Sequence, residues 1–157
     1  MGHAAVTDQG VIRNRIKEDD AMVRMISGVF CGAVVAALAL AGSWYCGVRF
    51  YPLPTRSDFS DPESLSNYAA AMPLQAVACL LAGWALSAMT GAWVAAKICR
   101  PRGGGAALTI GALLTATVIA YASVVPHAEW ITLTGLLLPI PFATMAALLA
   151  MGGHPVD

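Results

Sequence analysis

Four stretches of this chain contain no Asp, Glu, Lys or Arg: residues 25–48, 64–96, 103–128 and 130–156. Each is longer than the roughly 20 apolar residues with which an α-helix crosses a bilayer core of about 30 Å. Only 11% of the 157 residues are charged, and the mean hydropathy is +0.68. A soluble domain needs far more charge to cover its surface. The expected fold class is therefore all-α: four transmembrane helices in an antiparallel bundle, with a short interfacial helix in the first outer loop. The predicted spans are 22–47, 73–98, 106–125 and 130–151, forming a transmembrane domain over 22–151. It is flanked by an N-terminal arm (1–21), read as a frayed basic tail, and a tail (152–157).

The zero net charge hides an asymmetry. Arg13, Arg15, Lys17 and Arg24 precede the first span, and Lys97, Arg100 and Arg102 lie between the second and third. Seven of the nine basic residues thus mark those segments as cytoplasmic, with both termini inside. The first apolar run is a full span rather than a short h-region, so the expected location is a bacterial inner membrane with an uncleaved first helix.

Local signals punctuate the spans. Trp44, Tyr45 and Trp93 suit interfacial belts, whereas Trp84 falls mid-span and reads as a packing residue inside the bundle. Ser60-Asp61-Pro62-Glu63 reads as a helix start over about 62–70, with Ser60 or Asp61 as cap. Met72-Pro73 marks its break, and Arg100 to Gly105 reads as a flexible inner turn. Pro139 and Pro141 must kink or unwind the fourth span, freeing carbonyls near Gly135 and Leu137.

Small residues recur at helical spacing. Gly28, Gly32 and Ala36 form one face, and Gly83, Ser87, Gly91 and Ala95 another. Such faces let membrane helices approach closely, either within one chain or between chains. Packing within the chain is the first use expected of them, because a four-helix chain has internal faces to bury.

Chemistry-bearing groups are sparse. No ionisable residue sits mid-span, which argues against proton-coupled transport. No histidine lies within a span, which argues against haem. Cys31, Cys46, Cys79 and Cys99 have no metal-ligand spacing and read as small packing residues. Cys79 is placed too deep in the second span to bridge Cys46. His127 and Glu129 form one weak polar cluster at the outer mouth of the last two spans, too few to specify a metal. Glu129 and Trp130 there equally suit a helix start and an interfacial anchor.

Asp61-Pro62-Glu63, Met72-Pro73, Gly83-Trp84, Gly91 and Pro126-His127-x-x-Trp130 resemble a group of small uncharacterised bacterial four-helix membrane proteins. The likeness covers the first outer loop to the fourth span. The outer turn of that group is Pro-His-Pro-x-Trp, from which Ala128 departs. The resemblance implies a topology and no activity.

The expected function is non-enzymatic, with no cofactor, no metal and no nucleic-acid partner. The protein is expected to act in the lipid bilayer through helix–helix contacts, as a homo-oligomer or as an accessory subunit of another membrane protein. The alternative is an oligomeric channel or facilitator for a small solute, using the Pro139/Pro141 kink and the Thr and Ser hydroxyls of the third span. A membrane-surface enzyme using His127 and Glu129 ranks third.

Overall fold

The computed structural model describes residues 3–52, 61–101, 103–125 and 128–152; the side chains of residues 3–14, 16 and 62 lie outside the description. The described residues are helical throughout, without strands. In chain order the helices are α1 (His3–Phe50), α2 (Pro62–Ala70), α3 (Leu74–Ile98), α4 (Gly103–Val124), α5 (Glu129–Leu137) and α6 (Pro139–Met151). Four stretches are long and apolar enough to cross a membrane: Lys17–Phe50, Leu74–Ile98, Gly103–Val124 and Glu129–Met151. The chain therefore has the make-up of a multi-pass membrane protein.

Two boundaries differ from expectation. The polar arm is not a frayed tail: α1 continues through it from His3. The segment holds no proline, and a helix already nucleated by the apolar span extends at little cost through residues such as Arg15, Lys17 and Glu18. Likewise Gly103 to Gly105 form the first turn of α4 rather than a flexible linker. A Cβ on Gly103 would lie 2.9 Å from Ala96 Cα, so the bare glycine lets α4 start directly against α3.

α2 begins where the Asp61-Pro62-Glu63 chemistry requires. The Asp61 carboxylate accepts from the backbone N–H groups of Glu63 (3.3 Å) and Ser64 (3.1 Å), and from the Ser64 hydroxyl (2.6 Å). These bonds fill orphan donors of the first turn. They hold the Asp61 carboxyl below its ordinary value, the Ser64 hydroxyl contributing most. Leu65 and Ala69, one turn apart, bury against Tyr121 and Val125 at the end of α4.

α3 sits at the centre. It packs against α1, α4 and α6, while α1 touches α4 only slightly and, among the described residues, reaches neither α5 nor α6. The core is built largely of alanine: Ala88, Ala92, Ala95, Ala96, Ala107, Ala143, Ala146 and Ala150 are wholly buried. Side chains this small allow backbones to approach, which supplies the dispersion contacts that hold helices together in lipid.

Only Leu138 separates α5 from α6. Pro139 and Pro141 lack the N–H groups that would bond Gly135 and Leu137, so the ladder is interrupted there.

Candidate functional site

The two small-residue faces meet each other. A Cβ on Gly32 would lie 2.6 Å from Gly91 O and 2.8 Å from Ala95 Cβ, and one on Gly91 would lie 2.7 Å from Ala36 Cβ. At the ends of this seam Gly28 abuts Cys99 and Gly83 abuts Ser43. Residue numbers fall along α3 as they rise along α1. Ser87, wholly buried, donates its hydroxyl to the Gly83 carbonyl at 2.5 Å and asks nothing of a partner. Within one chain, Gly28, Gly32 and Ala36 are thus covered by Gly91, Ala95 and Cys99.

Beyond Gly83 the seam opens into a cavity of about 510 Å³, walled by α1, α2, α3 and α4. Small residues on α1 and α3 (Ala37, Ala41, Gly47, Ala76) make room, and five aromatic residues frame it: Trp44, Tyr51, Tyr68, Trp84 and Tyr121. The volume is typical of small-molecule sites, which are mostly apolar with a few placed polar groups. Trp84 is 4% exposed and meets Tyr121 edge-on, ring centroids 6.1 Å apart. Tyr51 and Tyr68 face each other at 4.6 Å. The Tyr51 hydroxyl donates to the Tyr68 carbonyl (3.2 Å), and the Tyr68 hydroxyl donates to the Pro52 carbonyl (3.1 Å). These bonds strap α2 to the end of α1. Burial, and then the neighbouring phenols of Tyr51 and Tyr121, push the Tyr68 hydroxyl above its usual pKa, so it stays a neutral donor.

The Ser and Thr hydroxyls on the cavity wall are self-satisfied. Ser43 donates to the Leu40 carbonyl and Thr117 to the Leu113 carbonyl, both at 2.9 Å. Thr109 and Thr115 on α4 do the same with Gly105 and Gly111. Such back-bonding leaves these hydroxyls no call for a polar guest. The wall therefore offers apolar surface and aromatic faces to an occupant.

The remaining sequence candidates lie elsewhere. Glu129 is exposed in the first turn of α5, where a carboxylate complements the helix dipole. His127 lies outside the described residues. Pro139 is buried and its carbonyl faces Gly111 of α4, at 3.5 Å from where a Cβ would sit, while Pro141 is exposed. Among the described residues no three His, Cys, Asp or Glu side chains converge as a metal site does.

Two features escaped the sequence reading. The cavity joins residues of four helices, and its sequence trace is Trp84, an aromatic side chain placed mid-span. The other is a cysteine pair: Cys79 packs against the end of α1, 3.8 Å from where a Cβ on Gly47 would sit, with Cys46 the next residue. Cys79 is not too deep, because α1 ends beyond Cys46 by nearly the same rise as α3 begins before Cys79. Among known proteins, no family model, no curated protein and no solved structure matches this chain.

Proposed function

We propose that this chain is a non-enzymatic protein of a bacterial inner membrane, an antiparallel four-helix bundle that works through contacts made by its helices. Both termini and the α3–α4 turn are cytoplasmic, and α2 lies along the outer interface. The basic residues at 13–24 and 97–102 support this orientation. A phosphatase fused after Asp157 is then inactive, whereas one inserted near Ser57 is active; the reverse pattern would invert the topology.

The bundle acts as a homo-oligomer or as an accessory subunit of a membrane complex. The observation that carries this reading is that α1 packs on one side only, chiefly against α3. Only 17% of its most apolar stretch is buried, against 44%, 28% and 33% for the other three spans. Val23, Ile26, Phe30, Val34 and Leu38 form one exposed stripe along it. The small-residue seam is already filled by α3, so a partner would meet this stripe. Purification from native membranes in mild detergent tests the idea, with Val34→Cys as a cross-linking site. A constant partner supports an accessory subunit and a self-adduct supports an oligomer. A lone, uncross-linked chain sinks the reading.

The cavity favours a second reading, in which the protein holds one apolar molecule drawn from the bilayer. Native mass spectrometry of the purified chain, compared with Ala41→Trp to fill the cavity, tests it. A bound mass equal in both proteins would place the ligand elsewhere.

A further inference from the structure

Cys46 stands four residues before the end of α1 at Phe50, and Cys79 stands five residues after α3 begins at Leu74. At about 1.5 Å of rise per residue, both lie about 6–8 Å inside the same end of the bundle. The seam sets them side by side. Gly83 faces Ser43, and a Cβ on Gly47 would lie 3.8 Å from Cys79 Cβ. The two thiols are neighbours and unbridged, with Cys46 exposed and Cys79 partly buried. Disulfides need Cβ atoms about 3.5–4.5 Å apart, and the position next to Cys46 already stands 3.8 Å from Cys79 Cβ. The other two cysteines are placed differently. Cys31 is exposed on α1 about four turns below, and Cys99 is buried at the opposite end of α3, its thiol 3.4 Å from the Arg24 carbonyl.

We propose that Cys46 and Cys79 form a dithiol–disulfide pair that clips the end of α1 to α3 beside the aromatic cavity. Gly47 and Val48 follow Cys46, and Leu80 follows Cys79; all three line that cavity. The bridge would therefore fix the wall that α1 and α3 share. The chemistry is thiol–disulfide exchange with an acceptor disulfide of an oxidising compartment. The exposed Cys46, as thiolate, attacks the acceptor; its S–S bond breaks and one acceptor thiolate leaves. Cys79, on losing its proton, attacks the mixed disulfide, the Cys46–Cys79 bond forms, and the second acceptor thiolate leaves. Two electrons and two protons pass to the acceptor, which departs as a dithiol. The site's access to an oxidising compartment rests on the outward orientation proposed above.

The test uses the full chain in native membranes, oxidised with copper phenanthroline, which joins thiols without capping a lone one, then denatured and tagged with a maleimide polymer. Reduced protein takes four tags, and the oxidised protein is expected to take two. Peptide mass mapping of the wild type should join Cys46 to Cys79, a result that needs no variant to fold. Cys31→Ser/Cys99→Ser should still lose two tags, and Cys46→Ser none. Four tags after oxidation, or a loss of two tags in Cys46→Ser, would overturn the pair. A membrane-impermeant disulfide that bridges the pair only in inverted vesicles would refute the orientation and leave the pair standing.

Discussion

The six-membered ring of Trp84 occupies the place where Gly135 would carry a side chain. A Cβ there would meet Cζ3, Cε3 and Cη2 of the indole together, the last at 3.0 Å. Gly135→Ala must therefore push Trp84 off its edge-on contact with Tyr121. Overpacking of this kind costs about 1–3 kcal/mol. Denaturant unfolding in detergent should register that loss, and Trp84→Leu in the Gly135→Ala background should recover part of it, as contacting residues do in a double-mutant cycle. An unchanged midpoint for Gly135→Ala would show that the ring is not held there.

Gly91→Leu should separate α1 from α3 inside one chain. Its side chain would enter the space held by Ala36 Cβ and Gly32 O, each 2.7 Å from the Cβ position. Limited proteolysis should then cut α1 readily. Gly42→Leu, with nothing within 4 Å of its Cβ, is the silent control. Equal protease resistance in the two variants would contradict the seam.

The α2 cap should be sensitive to acid. The Asp61 pKa is lowered in the fold, so its contribution is complete above the ordinary carboxylate value and fades as pH falls through the lowered one. Hydrogen exchange at Ser64 and Leu65 should therefore rise only under strongly acid conditions. Asp61→Asn keeps a capping oxygen and should abolish the pH dependence while leaving α2 formed, whereas Asp61→Ala should fray it at every pH. A similar acid response in Asp61→Asn would assign the titration to another group.

Thr109→Val, Thr115→Val and Thr117→Val should each change stability by less than about 0.5 kcal/mol, as substitutions away from special contacts do. Each hydroxyl returns to a carbonyl of its own helix and binds no neighbour. A large loss at any of them would reveal an interhelical or solute contact, and would revive the channel alternative.

What could be read from the residues was local. Asp61 and Pro62 announce α2 because capping acts within a single turn. The four spans declare themselves because hydropathy accumulates along the chain. The partners of Gly103, Gly135 and Cys79 were hidden, since each depends on which residue of another helix arrives opposite. Gly103 looked like a turn until Ala96 was seen to lie against it, and Cys79 looked too deep until the register placed it level with Cys46. The aromatic cavity was invisible for the same reason, because its wall exists only where four helices come together.

The seam between α1 and α3 also bears on how the protein is made. All its residues, from Gly28 to Cys99, precede the first residue of α4. A nascent chain that has delivered about its first hundred residues already holds both halves of this interface. The hairpin can dock while the rest is still being translated. Synthesis then adds α4 and the α5–α6 pair to a template whose exposed alanines are already in place, so the second half of the protein has its partner waiting.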